Sequence, residues 1–379
     1  MRVLVKVPYF VPWISREDKK SVVKVLNQRW LTNGPVLKKF EAKFSEFIKT
    51  KYSVGVSSAT HALHLITKCL DLKPDDEVIV PTFTFVATAN AVIYCGAKLV
   101  LADIDSDTFN ISIKDIQKKI TKKTRAIIAV HYGGQSCDMD KLQSLGKQKN
   151  LSLIEDCAHA LGSTFRNQLC GSFGIGGCFS FYPTKIITTG EGGMITTNNK
   201  TIANRLRSLR SQAMNVQAID REKKSQWKYD IGELGYNYRL DEIRSSLGLS
   251  QLKRINQINK KRQKIAKIYD KKLQNITGIT IPYIKEDRNH IYHLYTIKIE
   301  KEFLLSRDEL FTKLSEMGIG SSVQYYPLHL MSYMKNYTKF KKSDFVTANI
   351  LKDKVLSLPI YPTMNSKQIE YICSIFKKA

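Results

Sequence analysis

The fold class follows from the stretch Leu151-Ser152-Leu153-Ile154-Glu155-Asp156. Its first four residues, Leu151–Ile154, form a short and mostly apolar run that is typical of a strand buried on both faces. Two carboxylates follow directly, and a carboxylate in such a place is costly unless a cationic group pairs with it. The stretch therefore predicts a buried strand with a binding group, Asp156, just past its carboxyl end. The alternative is that Asp156 only caps the next turn.

Similar runs on both sides of this strand alternate with windows of helical periodicity. The predicted strands are Ser53–Val56, Glu77–Val80, Lys98–Ala102, Arg125–Val130, Leu151–Ile154, Cys178–Phe181 and Met194–Thr197. The predicted helices are Val36–Ile48, Thr60–Leu70, Phe85–Tyr94 and Asp140–Lys149. Strands that alternate with helices form a mostly parallel sheet with helices on both faces, so the predicted fold class is α/β.

The pattern changes after about residue 240. A long helix is predicted over Leu240–Leu273, and the predicted strands beyond it are Tyr292–Ile299 and Ser321–Gln324. Further helices are predicted over Arg307–Met317, Val346–Lys354 and Ser366–Phe376. A large domain of residues 1–245 followed by a smaller α+β domain of residues 246–379 is the expected organisation.

The chain has 379 residues and a formal net charge of +26, from 60 Lys and Arg against 34 Asp and Glu. Lysines are spread along the whole chain, which favours a lysine-rich surface over binding of nucleic acid. The densest run, Lys253–Lys272, has apolar residues at helical spacing and few aromatics, so it is typical of an amphipathic helix with a basic outer face. Attraction of an anionic substrate is the other interpretation of the charge.

The seven cysteines are scattered and form no C-x-x-C pair. That pattern argues against a disulfide framework or a metal site, and it favours reduced thiols in the cytoplasm. No apolar stretch is long enough for a transmembrane helix, and Met1–Tyr9 lacks the features of a signal peptide. Neither a membrane nor a metal is expected as a partner.

Candidate binding residues lie at the carboxyl ends of five predicted strands, namely Ser57–Thr60, Pro81–Phe85, His131, Glu155–Asp156 and Ser180. In open α/β sheets, ligands bind beyond the carboxyl ends of the strands, so these residues predict one site. Small and hydroxylated residues that open a helix, as in Ser57–Thr60, suit a phosphate. An ordinary helix N-cap is the alternative interpretation.

Lys185 lies between the predicted strand end at Ser180 and the glycine-rich turn Gly190–Gly193. This position places it on a tight loop at the top of the sheet. Burial lowers the pKa of a lysine enough for its free amine to react, and lysine is the residue that forms Schiff bases. The turn by itself is also typical of a simple hairpin.

Taken together, these features resemble the DegT/DnrJ/EryC1/StrS family of sugar aminotransferases, which are pyridoxal-phosphate (PLP) enzymes of fold type I. The resemblance covers nearly the whole chain. It rests on the ordered blocks Trp30–Pro35, Pro81–Phe85, Glu155–Gly162, Ser180–Lys185 with Gly190–Gly193, Gly235–Arg239 and Tyr326–His329. It implies an aspartate-aminotransferase-like fold with a seven-stranded sheet in the large domain.

The resemblance also implies the roles of individual residues. Lys185 is expected to form the Schiff base with PLP, Asp156 to bind the pyridine nitrogen, and His159 to lie near the ring or its phenolic oxygen. Phe85 is expected to stack on the ring. The expected phosphate ligands are Ser58, Ala59, Thr60 and Ser180, with Asn237 reaching the phosphate from the partner subunit of a homodimer. Weaker candidates for contact with the substrate are Thr32, Asn33, Arg239 and His329.

The implied reaction is transfer of an amino group from L-glutamate, through PLP, to a nucleotide-linked keto sugar used in glycan biosynthesis. The Thr189–Gly193 turn looks more like that of the enzymes that aminate C4 than of those that aminate C3, so a 4-keto-6-deoxy sugar is expected. A deoxygenating branch has His at the position of Lys185, which favours transamination here. A 3-keto sugar is one alternative, and a non-catalytic regulatory or nucleic-acid-binding homologue is the other.

Overall fold

The computed structural model describes residues 6–215, 227–337 and 340–377. Outside these ranges lie the first five residues of Met1–Tyr9 and residues 216–226, which are part of a strongly polar segment between residues 211 and 229. At the centre is a seven-stranded sheet with strand order β1-β9-β8-β5-β4-β2-β3. Its strands are β1 (Tyr52–Val56), β2 (Glu77–Pro81), β3 (Lys98–Ala102), β4 (Thr124–Val130), β5 (Ser152–Asp156), β8 (Gly176–Ser180) and β9 (Gly193–Thr197). The two-residue strands β6 (Thr164–Phe165) and β7 (Gln168–Leu169) form a small hairpin between β5 and β8.

All neighbouring strands of the central sheet run parallel except at β9, which is antiparallel to both β8 and β1. The predicted α/β class with a mostly parallel seven-stranded sheet is confirmed. The six strands other than β9 therefore run in the same direction, and their carboxyl ends lie at one edge of the sheet. The turn Gly190–Gly193 leads into β9 at that same edge.

Helices cover both faces of the sheet. In the large domain they are α1 (Arg16–Leu26), α2 (Pro35–Ile48), α3 (Ala59–Lys68), α4 (Val86–Tyr94), α5 (Ile113–Lys119), α6 (Met139–Lys149), α7 (Lys200–Leu209) and α8 (Glu242–Leu252). The period-2 alternation of β4 divides its side chains between the faces. Ala126 and Ile128 pack in the cluster under α3 and α4, whereas Ile127 and Ala129 pack in the cluster under α5 and α6. Burial on both faces explains why the strands are apolar throughout.

A second hydrophobic core lies in the C-terminal part of the chain. It is built from α9 (Ile255–Leu273), β10 (Ile279–Thr280), β12 (Tyr295–Ile299), α10 (Arg307–Glu316), β13 (Val355–Leu358) and α12 (Ser366–Phe376), and α11 (Val346–Leu351) precedes β13. Strands β10, β12 and β13 form a three-stranded sheet, while β11 (Arg288–Asn289) pairs with β6 of the large domain. In the part of the chain that the structure describes, no helix is both long and apolar enough to cross a bilayer.

The single helix predicted over Leu240–Leu273 is wrong, because α8 ends at Leu252 and α9 begins at Ile255. At the break, Arg254 Nη2 lies 2.5 Å from Asp18 Oδ2, and its guanidinium lies over the Trp13 ring. The break lets α8 pack on α1 and α2 while α9 continues into the second core. The predicted boundary near residue 245 stays a prediction. Packing supports a domain boundary further along the chain, because Ile258 belongs to a large-domain cluster and Ile265 to the second core.

Two further elements differ from the sequence-based expectation. Ser321–Gln324 is not a strand, since only an isolated bridge joins Ser322 to Ser357. The helix predicted over Val346–Lys354 ends at Leu351, and Val355–Leu358 forms β13, antiparallel to β12. The charged residues Lys352–Lys354 separate the two elements, and the apolar run after them is only four residues long, which is too short for periodicity to identify a strand.

Candidate active site

A cavity of about 470 Å³ opens at the edge where the parallel strands end. The large domain supplies the N-terminus of α3, the end of β5 and the loop that follows β8. The opposite wall comes from Tyr9 and Phe10 near the N-terminus and from Leu294, Gln324 and Tyr325. Of the five strand ends that were predicted to converge on one site, four contribute lining residues, namely Ser58–Thr60, Thr84 with Phe85, Asp156 and Ser180. His131 and Glu155 do not line the cavity, which corrects the expectation for these two residues.

The N-terminus of α3 presents backbone N–H groups to the cavity. Ser58 is the N-cap, and its hydroxyl accepts a hydrogen bond from His61 N at 3.1 Å. The first helical bond runs from Ala62 N to Ser58 O, so among the described residues the N–H groups of Ala59 and Thr60 are left for a ligand. A Cβ on Gly193 would lie 2.6 Å from the Ser58 carbonyl, so the close approach of β9 requires glycine there. This arrangement is suited to an anion such as a phosphate.

Asp156 is 5% exposed and faces the cavity from the end of β5. Its Oδ2 accepts a hydrogen bond from Thr88 Oγ1 at 2.8 Å, and its Oδ1 accepts one from Ala158 N at 3.1 Å. Burial raises the pKa of Asp156, while these two hydrogen bonds and the nearby Lys185 act in the opposite direction. The carboxylate is thus held in place and has capacity left for a cationic partner.

The neighbouring carboxylate, Glu155, points to the other side of the strand and has a structural environment. It accepts hydrogen bonds from the backbone N–H groups of Gly171, Phe173 and Gly174 at 2.7–3.0 Å. His131 Nε2 lies 3.1 Å from its Oε2, and His131 Nδ1 accepts from Cys137 N. Glu155, His131 and Cys157 are close enough to suggest a metal site. The hydrogen bonds instead account for both the histidine and the carboxylate as anchors of the loop 171–174.

Lys185 lines the cavity from the loop between β8 and β9. Its backbone N–H closes a turn onto Tyr182 O at 2.9 Å, and Thr188 fixes the loop by donating its hydroxyl to Phe181 O. Burial lowers the pKa of Lys185 to about 8, and the negative charge of Asp156 opposes that change. A lysine with such a pKa has an appreciable fraction of free amine near neutral pH.

His159 lies on the turn that follows β5, and both of its ring nitrogens have partners. Nδ1 accepts from Gly133 N at 3.3 Å, and Nε2 lies 3.0 Å from the Tyr325 hydroxyl. Burial, and next to it the charge of Lys185, holds the pKa of His159 well below its usual range. The ring packs against His293, with centroids 4.3 Å apart.

The remaining expected cofactor ligands are split between the cavity and its surroundings. Phe85 and Ser180 line the cavity, and Phe85 is 59% exposed, so one face of its ring is free to pack on a ligand. Asn237 and Arg239 do not line it. They lie on an extended segment in which Asn237 pairs with Ser211 and Arg239 with Val56.

The weaker substrate candidates do not line this cavity either. Thr32 forms a bridge with Asp241, and Asn33 accepts from Arg210 Nη2 at 3.1 Å. His329 is 1% exposed, and it contacts Thr82 through Nδ1 and Asn349 through Nε2. The expectation that His329 touches the substrate is therefore corrected to a structural role in the core.

Sequence reasoning missed Tyr9, Thr88, His293 and Tyr325, all of which line the cavity. Thr88 lies one helical turn after Thr84, and that spacing was the only local signal for its role. The other three come from segments far along the chain from β5. Only the tertiary fold brings them together with Asp156 and Lys185.

Known proteins resemble this chain in both sequence and fold. Residues 12–377 match the model of the DegT/DnrJ/EryC1/StrS aminotransferase family. The chain is 36% identical over 369 residues to the GDP-perosamine synthase of Escherichia coli O157:H7, covering 97% of this chain and 96% of that protein.

Two solved structures share the whole fold. PseC of Helicobacter pylori, an aminotransferase involved in the biosynthesis of pseudoaminic acid, aligns with a TM-score of 0.91 at 31% identity, covering 98% of both chains. Spr1654 of Streptococcus pneumoniae, solved in its PMP-form, aligns with a TM-score of 0.93 at 30% identity, again covering 98% of both. The same protein has also been solved in a PLP-form.

Proposed function

The chain belongs to the DegT/DnrJ/EryC1/StrS aminotransferase family, and we propose that it aminates a nucleotide-linked keto sugar with L-glutamate as the amino donor. The observation that carries the proposal is the position of Asp156, Lys185 and the N-terminus of α3 around one cavity. A carboxylate, a free amine and unpaired N–H groups are three chemically different binding groups. They match the pyridine nitrogen, the aldehyde and the phosphate of PLP.

PLP, which is expected for this family, would be held by these residues. Ala59 and Thr60 would bind its phosphate through their N–H groups, together with the hydroxyls of Ser58 and Ser180. Asp156 would pair with its pyridine nitrogen, Phe85 would pack on its ring, and His159 would lie beside the ring. When bound, PLP supplies an electron sink that stabilises negative charge at the carbon from which a proton is removed.

The protein's own contribution is to hold and move protons at defined atoms. Lys185 Nζ, with a pKa near 8, takes up the donor's Cα proton and returns it on the way to the amino product. The hydrogen bonds from Thr88 and Ala158 favour the ionised form of Asp156, and in that form it would keep the pyridine nitrogen opposite it protonated. The buried walls exclude water from these groups, which strengthens the electrostatic contacts between them.

A second copy of the chain is proposed to complete the site. Asn237 is exposed, yet it is held in an extended segment beside β1 and outside its own cavity. That position suits a residue that reaches the phosphate in a partner subunit, and Arg239 two residues later would then approach the donor or the sugar. Thr32 and Asn33 remain proposed contacts on the same grounds.

The proposed substrate is a 4-keto-6-deoxy sugar whose product serves glycan biosynthesis. The named relatives support a sugar substrate, since one is a GDP-perosamine synthase and another takes part in pseudoaminic acid biosynthesis. The Thr189–Gly193 turn supports C4 over C3 amination. A 3-keto sugar is the second candidate, because that turn is the one feature in favour of C4.

The proposal is tested by mass spectrometry of reactions that contain PLP, L-glutamate and a panel of UDP-, dTDP- and GDP-linked keto sugars. Lys185→Ala is run beside the wild type, and Lys264→Ala, an exposed lysine on α9, serves as the matched control. We expect one 4-keto-6-deoxy sugar to gain an amino group with the wild type and the control but not with Lys185→Ala. Amination of 3-keto sugars alone would move the reaction to C3. Turnover by Lys185→Ala equal to wild type would refute the assigned role of Lys185.

A further inference from the structure

The hydrogen bonds around His159 define which of its nitrogens carries the proton. Gly133 N donates to Nδ1, so Nδ1 must present a lone pair. Burial and the charge of Lys185 keep the ring neutral, because they hold the pKa of His159 well below its usual range. A neutral imidazole has one N–H, which must then be on Nε2. His159 therefore donates from Nε2 to the Tyr325 oxygen, 3.0 Å away.

This assignment leaves the Tyr325 hydroxyl proton without a partner among the described residues. Its oxygen already accepts from His159, so its own O–H must point elsewhere. Two nearby tyrosines provide a contrast. Tyr9 donates to Gln324 Oε1, and Tyr132 donates to the Gln324 carbonyl. Of these three tyrosines, Tyr325 is thus the one whose hydroxyl proton is free to point into the cavity that it lines.

The tyrosine and imidazole groups beside Tyr325 are uncharged, although Asp156 and Lys185 line the same cavity. Burial raises the pKa of Tyr325 well above its usual range and raises that of Tyr9 to about 12. Burial also holds the pKa of His293 well below its usual range, and His293 Nδ1 has no hydrogen-bond partner in the described structure. Uncharged neighbours of this kind suit a hydrogen bond from Tyr325 to a carbonyl or hydroxyl oxygen.

We propose that the Tyr325 hydroxyl donates a hydrogen bond to the carbonyl oxygen of the keto substrate, with Gly133 and His159 fixing its direction. The inference rests on the proposed function, in which a ketone condenses with a primary amine and its oxygen leaves as water with the two protons of that amine. Negative charge builds up on that oxygen as nitrogen adds to the carbon. A donor that is already aimed and buried stabilises that charge without reorganisation. Tyr325 is then a catalytic residue, while His159 also acts as a positioning residue.

The test compares the PLP-loaded wild type with Tyr325→Phe and with Tyr371→Phe. The control loses a hydroxyl that bonds the Met317 carbonyl, far from the cavity. Two reactions are followed, namely sugar amination and the single-turnover reaction of the pyridoxamine-phosphate form with 2-oxoglutarate, which needs no sugar. We expect Tyr325→Phe to slow both by about 10²–10³-fold, with KM changed by less than about threefold, as for loss of an oxyanion donor. The control should match the wild type.

Two spectroscopic readouts separate this role from a structural one. Nitrogen-15 NMR of histidine-labelled protein, assigned with His159→Gln, should show the proton of His159 on Nε2. The pH titration of the bound cofactor's absorbance should be the same in Tyr325→Phe as in the wild type. A proton on Nδ1, or rates within about threefold of wild type, would overturn the inference. So would a shifted cofactor titration, since the hydroxyl would then bind the cofactor.

The outcomes also distinguish this inference from the proposed function. A wild type that aminates no sugar yet reacts with 2-oxoglutarate, and is slowed there by Tyr325→Phe, refutes the sugar substrate and supports the role of Tyr325. If the wild type aminates a sugar and Tyr325→Phe aminates it at the same rate, the proposed function is supported and the role of Tyr325 is refuted.

Discussion

Replacing Thr88 with valine removes the hydroxyl that bonds Asp156 while keeping the size and branching of the side chain. Thr88 Oγ1 donates to Asp156 Oδ2 at 2.8 Å, and the carboxylate is then left with the single bond from Ala158 N. A hydrogen bond to a charged group contributes about 1.5–3 kcal/mol. At 1.36 kcal/mol for each pKa unit, its loss raises the pKa of Asp156 by about 1–2 units.

PLP is expected to pair with the ionised form of Asp156, and this sets the direction in which pH changes PLP affinity. Burial already raises the pKa of Asp156, so its ionised form is lost as pH falls through that raised value. We expect Thr88→Val to lose PLP affinity at a pH about 1–2 units higher than the wild type does. As pH falls through that window, the PLP dissociation constant of Thr88→Val should come to exceed that of the wild type by about 10–100-fold, one factor of ten for each unit of pKa.

The assay is a titration of the cofactor-free protein with PLP between pH 5 and 8, followed by absorbance. Thr88→Ser is the matched control, because it keeps the hydroxyl and removes only a methyl group. Thr84→Val should have a smaller effect, since Thr84 bonds Thr88 at 3.1 Å and reaches Asp156 only through it. Equal affinity and an equal acid limit in Thr88→Val and wild type would refute the reasoning. Equal losses in the Val and Ser variants would point to packing instead.

Three further outcomes are expected. The rate at which PLP reacts with the cofactor-free protein, measured by stopped-flow absorbance, should rise about tenfold per pH unit below pH 8 and level off above it. The reason is that the pKa of Lys185 is about 8. A plateau only above pH 10 would contradict the burial of this amine. Glu155→Gln should lower the free energy of unfolding in urea by about 2–6 kcal/mol, since the new amide leaves two buried donors without an acceptor. An unchanged urea midpoint would exclude the anchoring role of Glu155. His329→Gln should lower the melting temperature and leave KM for the sugar within about twofold of wild type, because a side chain buried in the core does not touch substrate. A large rise in KM with an unchanged melting temperature would restore His329 to the substrate site.

The central sheet was predictable because its strands are buried on both faces. Each is a short β-branched or apolar run bounded by turns, as in Lys98–Ala102, for which the predicted and observed bounds agree. Helices were predictable where an apolar face repeats over three turns, as in Ser366–Phe376. In both cases the signal is local and depends on burial alone.

Elements that depend on distant partners were not predictable in the same way. Nothing local in residues 240–273 marks the break before Ile255, where Arg254 pairs with Asp18 and packs on Trp13, more than 200 residues away in sequence. Val355–Leu358 is a run of only four residues after the charged Lys352–Lys354, and its pairing with β12 makes it a strand. Periodicity reports which side chains are buried, and it does not report the element against which they pack.

The same distinction divides the candidate site. The strand ends and the loop of Lys185 could be placed from the sequence, because parallel strands end at one edge. Thr88 and Tyr325 carry no signal of that kind. Each acts through one hydrogen bond to a residue far away in sequence, with Thr88 bonding Asp156 and Tyr325 bonding His159.

Glu155 and Asp156 show how strand geometry assigns different roles to adjacent residues of the same chemistry. Successive side chains in a strand point to opposite faces. Asp156 consequently faces the cavity, where two hydrogen bonds leave room for a cation, whereas Glu155 faces a loop whose N–H groups and His131 bind both of its oxygens. Composition cannot separate the two, because both are buried acids at one strand end. A one-residue slip of β5 would turn Asp156 away from the cavity, so the anchoring of loop 171–174 by Glu155 also fixes the orientation of Asp156.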